Sequence, residues 1–197
     1  MDNPYWHPYY KPHAIDFDEV RDLCFDAYSI IAASHAIAGL PGDEVGGPLH
    51  EYFLRTAEAR LSDCLLTIAV RMRTFEDILS DEAKSEYDKV VLEHTGNGEL
   101  GSIGWNDSSD RVDLTFREAC NKIIHTKDFR PTYDNDSNDR EENYAWGMTG
   151  IVELMGKFGK REWDVWLTAE EFLSACLHIA NVVDPLPTED EETAERE

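Results

Sequence analysis

Gly150–Leu167 reads GIVELMGKFGKREWDVWL, and its rhythm differs from everything before it. Gly150–Gly156 and Arg161–Leu167 alternate along the chain with the period of extended strands. Trp163, Val165 and Leu167 fall on one face. Lys157-Phe158-Gly159-Lys160 joins the two runs, so the stretch predicts a β-hairpin. Both flanks keep a helical period instead. Downstream, Thr168 and Glu171 have the spacing of a capping box, and Phe172, Leu173, Cys176, Leu177, Ala180 and Val183 form an apolar face behind it. Upstream, Phe53, Ala57, Leu61, Leu65, Ile68 and Met72 belong to a helical stripe that reaches Leu79.

Further upstream, Asp16 with Glu19 starts a first helix, and Gly39-Leu40-Pro41-Gly42 stops it. Ser80 caps a third, shorter helix through Tyr87, Val90 and Val91, and Gly96–Gly104 breaks the chain. A further helix is expected from about Asp110 to His125, followed by a polar loop over 126–146. The expected fold is mainly α: a bundle of four to five helices with one hairpin, at about 150–167, before the last helix. Residues 1–15, rich in proline and aromatics, read as an extended arm with Trp6, Tyr9 and Tyr10 as anchors. Residues 16–183 read as a single helical domain, and 184–197 as an acidic disordered tail.

The apolar fraction of 42% is that of a globular chain, whereas the net charge of −23 is far from ordinary. Such a charge repels nucleic-acid phosphates unless basic residues are gathered locally. No apolar run is long enough to span a membrane, and MDNPYWHPYYKPH has no apolar leader core. Cys24, Cys64, Cys120 and Cys176 each fall on an apolar stripe, and none forms a CxxC pair. They read as buried reduced thiols of a cytoplasmic protein, and no metal or cofactor is expected.

Chemistry is concentrated in Leu114–Asp128, LTFREACNKIIHTKD. As a helix it puts Val112, Phe116, Ala119, Cys120 and Ile123 on one face. Arg117, Asn121 and His125 stack at i, i+4 on a second stripe about 100° away. A histidine can serve as a general base, an arginine can hold a phosphate, and an asparagine can orient either. The plainer alternative is a helix edge hydrogen-bonded to neighbouring loops.

Asn121-Lys122-Ile123-Ile124-His125, with the Lys127-Asp128 that follows and the long helix before it, resembles the HEPN superfamily of nucleotide-binding proteins. The resemblance covers about residues 50–130. It implies a small, mostly helical, usually dimeric domain. Many members are metal-independent RNases of toxin–antitoxin, abortive-infection and CRISPR systems. Asn121 matches the family's polar residue and His125 its histidine, which would move protons at ribose oxygens. The family's arginine, which would steady charge on the scissile phosphate, falls at Cys120. The nearest upstream arginine is Arg117, with seven residues between it and His125. Arg117, Lys122 or a residue of a second subunit would have to supply that charge.

Other clusters are weaker. Lys157, Lys160 and Arg161 form the densest basic group, and with Phe158 and Trp163 they could hold a phosphate and stack a base. Lysines that blunt a strand edge are the plainer reading. Asp134, Asp136 and Asn138 imitate the start of a calcium loop, but Asp139 and Ala145 stand where glycine and glutamate are required. His7 and His13 lack a third ligand, and His35, His50, His94 and His178 are isolated.

Two functional classes follow. One is a homodimeric HEPN-like protein that binds a nucleotide or RNA, or cleaves RNA, with His125, Asn121 and Arg117 as its catalytic set and Lys122, Lys157, Lys160 and Arg161 holding substrate. The other is a non-enzymatic acidic protein that mimics nucleic acid or neutralises a basic partner through its acidic loop and tail.

Overall fold

A computed structural model describes residues 15–38, 47–95, 98–134 and 147–185. Among these, helices α1 (Phe17–Ala38), α2 (Pro48–Ile78) and α3 (Asp81–Thr95) come first. Strands β1 (Gly101–Trp105) and β2 (Val112–Asp113), helix α4 (Phe116–His125) and strand β3 (Asp128–Asp134) follow. The hairpin β4 (Gly147–Phe158) and β5 (Arg161–Thr168) leads into α5 (Ala169–Val183).

The hairpin is the middle of a five-stranded antiparallel sheet in the order β2-β1-β5-β4-β3, not an appendage on a helical bundle. That overturns the expected fold class. The fold is instead a layer of helices against one face of a sheet. Alternation along the hairpin decides which face. Ile103, Val152, Leu154, Trp163, Val165 and Leu167 are buried against the helices. Each such side chain contributes roughly 1.5–3 kcal/mol by leaving water. Glu153, Asp164 and the 52%-exposed Trp166 point the other way. Helices reach the sheet by polar contacts too: the buried Ser34 hydroxyl accepts the Met148 N–H at 2.8 Å and donates to the Ile31 carbonyl at 2.6 Å.

Three strands lie where a break, a helix start and a polar loop were expected. β1 pairs with β5 from Gly101↔Leu167 to Trp105↔Trp163. Gly101 is required there: its φ is +109°, and a Cβ would run into the Trp166 carbonyl. Val112, expected on the buried face of the motif helix, is in β2 and 56% exposed. β3 pairs with β4 and takes a register shift between Pro131 and Tyr133. Proline has no N–H for a ladder, so it belongs on an edge strand such as this one.

The caps also moved. α4 begins at Thr115, whose hydroxyl accepts the Glu118 N–H at 3.2 Å, rather than at Asp110. Thr168 is the N-cap of α5 but makes no side-chain cap bond, contrary to the capping-box expectation. Its N–H goes to the Leu100 carbonyl at 3.1 Å. Asp16 and Ser80 do cap α1 and α3, accepting from Glu19 N–H at 3.1 Å and Ala83 N–H at 3.3 Å. The aromatic arm up to residue 14, the acidic loop over 135–146 with most of the calcium-like run, and the tail over 186–197 lie outside the described residues.

Candidate nucleic-acid interface

α4 is short, and its two ends have different surroundings. At its N-terminal end, Arg117 pairs with Glu76 and, at 3.5 Å, with Asp77. Asn121 accepts from Arg73 Nε at 3.1 Å. Glu76 is only 6% exposed and also faces Lys84 at 3.5 Å and Arg73 at 3.7 Å. Burial opposes the Arg117 charge, but Glu76 and Asp77 outweigh it and hold its pKa above the ordinary value. Hydrogen bonding from Arg73, helped by Arg117, holds the Asp77 carboxyl below the usual range. These residues bolt α4 onto α2. Arg117 lines a groove between α2, α3 and α4, not the one His125 lines. Cys120, where the resemblance puts an arginine, is 1% exposed, and burial pushes its thiol pKa up. It is a core residue.

The C-terminal end opens. Asn121, Lys122, His125 and Lys127 from the α4 corner meet Lys157, Phe158 and Trp163 from the hairpin around a groove of about 580 Å³. The corner is fixed by three bonds to backbone. Lys127 N–H donates to the Met155 carbonyl at 2.8 Å, and the Thr126 hydroxyl reaches the Asp128 and Met155 carbonyls at 2.8 and 3.1 Å. The His125 side chain makes no hydrogen bond or ion pair among the described residues and is exposed.

Behind Lys122 and Trp163, which line the groove, cations and rings stack. Lys122 Nζ lies 4.7 Å from the ring centres of both Trp105 and Trp163, and the Arg161 guanidinium lies 4.3 Å from Trp105. Trp105 and Trp163 are register partners on β1 and β5. Gly156 opposite Trp163 leaves room for the indole, since a Cβ there would collide with it. Burial lowers the Lys122 pKa, while Glu118 and the ring faces favour its charge.

The structure therefore joins two clusters that the sequence kept apart, Lys122 and His125 on one side and Lys157 with Phe158 on the other. It separates Arg117 from them. Lys160 is exposed at the turn, and Arg161 is held by Asp107 at 2.7 Å on the Trp105 side. Lys157 pairs with Glu162 at 2.5 Å. Lys127 was not singled out as a contact residue, because only the α4–β3 corner brings it to the groove, and Trp105 reaches Lys122 only through its pairing with Trp163. His94 and His178 are not isolated: their rings meet between α3 and α5 with centres 3.3 Å apart and planes tilted by 36°. The four cysteines are buried and unpaired by disulfides. No cluster of three or more His, Cys, Asp or Glu able to hold a metal occurs among the described residues. No described helix is long and apolar enough to cross a membrane.

Compared with family models, curated proteins and solved structures, the chain finds no match in any of the three.

Proposed function

We propose that the protein binds single-stranded RNA or a nucleotide through the groove between the C-terminal end of α4 and the β4–β5 hairpin. One observation carries this reading: in a chain of net charge −23, Lys122, His125, Lys127 and Lys157 converge on one groove with Phe158 and Trp163. Local cations answer the phosphate and aromatic rings answer the bases, the combination that single-strand binders use. The HEPN resemblance points to the same ligand class and to the same histidine. It is weakest at Arg117, whose guanidinium is committed to Glu76 and Asp77. Binding is therefore the primary activity in this reading, and His125 is the groove residue able to move a proton.

Fluorescence anisotropy with labelled single-stranded RNA, without metal, tests it. Binding should weaken with salt at a log–log slope of about −0.7 per phosphate contacted, and Lys127→Glu should weaken it about tenfold. Absence of binding, or equal binding by Lys127→Glu and Lys157→Glu, overturns the reading and favours the acidic interaction protein. The same RNA reports on His125. Cleavage to 2′,3′-cyclic phosphate ends that disappears in His125→Ala adds a ribonuclease activity, and intact RNA leaves a binder.

A further inference from the structure

The groove has a neighbour. A second cavity, of about 360 Å³, is bounded by Asn106, Asp128, Met155, Gly156, Glu162 and Asp164. Lys127, Lys157 and Trp163 line both cavities, so the two share a wall with two lysines in it. The smaller cavity is lined by Met155, Gly156 and Trp163, with carboxylates around it. Phe158, which lines the larger groove and not the smaller cavity, is 74% exposed.

We infer that the unit recognised is a dinucleotide step: one base in the smaller cavity, its neighbour on Phe158, and the phosphodiester between them on Lys127 and Lys157. This rests on the reading of the groove as a nucleotide site. The alternation of apolar surface, cation wall and ring surface matches the alternation of base, phosphate and base along a single strand. The carboxylates sort the groups. Asp128, Glu162 and Asp164 repel a phosphate from the smaller cavity. Each is paired with a cation, Arg130, Lys157 and Arg111 respectively, yet a carboxylate keeps lone pairs for the amino and imino hydrogens of a base. A duplex does not fit this pattern, because its base faces are stacked and its edges are paired. A bare polyanion would gain the two lysines and nothing from Met155 or Phe158.

Calorimetric titration of the full chain with a nucleoside monophosphate, a dinucleoside phosphate and a tetranucleotide tests this. The second nucleotide should improve affinity about tenfold, as one added stacking contact does, and the third and fourth together less than about twofold. Phe158→Ala and Met155→Glu, both at positions outside the buried core, should each reduce the gain from the second nucleotide below about twofold. If mononucleotides bind and Lys127→Glu weakens them, but the dinucleotide is no better, the two-base inference falls and the groove reading stands. The same holds if the gain survives both variants, or if affinity keeps climbing to four nucleotides. If none of the three compounds binds, both readings fall.

Discussion

The two ends of α4 carry the same kinds of side chain and do opposite work. Arg117 is consumed by Glu76 and Asp77 on α2, and one turn on Asn121 accepts from Arg73 while it also borders the groove. One turn further on, His125 is exposed beside Lys122 and Lys127 in a groove. A polar stripe on a helix is therefore not a site by itself. Whether its members act on a ligand depends on what the neighbouring helix places against each turn. The charged network at one end is a fastening that holds the other end in place.

That contrast can be broken at the fastened end first. Glu76→Ala leaves Arg117, Lys84 and Arg73 without their buried anion and should cost about 3 kcal/mol, the low end for a broken buried pair because Arg117 and Lys84 are partly exposed. A loss under about 1 kcal/mol in urea titration would mean the network fastens nothing. On the groove side, Gly156→Ala pushes a methyl into the Trp163 indole and should cost about 2 kcal/mol. It should also change the near-ultraviolet circular dichroism of the tryptophans, as Lys122 loses one of its two rings. An unchanged spectrum would show that the stack does not depend on that glycine.

Smaller effects sharpen the comparison. Arg117→Ala should cost about 1 kcal/mol, since its guanidinium is 43% exposed and solvent screens the pair. It should also flatten acid sensitivity. The folded Asp77 pKa is depressed, so its contribution is present above the unfolded value near 4 and is lost as pH falls through the folded one. Removing one of its two arginines shrinks that loss. His125→Ala should change stability by less than about 0.5 kcal/mol while abolishing any RNA cleavage, the reverse of Arg117→Ala. A histidine that is packed behaves differently again. Burial and the neighbouring His94 lower the His178 pKa, with Glu93 opposing. Its contribution is full above the unfolded value near 6.5 and declines as pH falls toward the folded value. His178→Gln should remove a small dip in thermal stability below about pH 6.5, and an identical pH profile would show that the ring pair carries no such linkage.

What could be read from the chain was what repeats along it. α2 declares itself through Leu61, Leu65, Ile68 and Met72, and the hairpin through Trp163, Val165 and Leu167, because their partners lie a fixed step away in sequence. β1 could not be read the same way. Gly101-Ser102-Ile103-Gly104-Trp105 has one clear inward aliphatic and two glycines, and it is extended because β5 supplies its hydrogen bonds from the far side of the sequence. β2 has two residues and no period at all. β3 contains Pro131, a breaker by local rules and acceptable only because it lies at an edge. With those strands unread, the hairpin looked peripheral and the fold looked like a bundle. The site followed suit. Lys122 and His125 were visible on their helix and Lys157 with Phe158 on their turn, but their meeting depends on Lys127 and Thr126 being tied to the Met155 carbonyl.

The strand order has a consequence for how the molecule is born. β5 is the hinge of the sheet, bonded to β4 on one side and to β1 on the other. As the chain leaves the ribosome, β1 emerges with only the two residues of β2 to pair with, and it must wait for residues 161–168 before its other edge is covered. Closure of the sheet is thus a late, long-range event, and pairings of this kind are slow because loop entropy is spent before contact is made. Until then Ile103 and Trp105 stand on an open strand edge, the kind of surface through which partly folded chains associate.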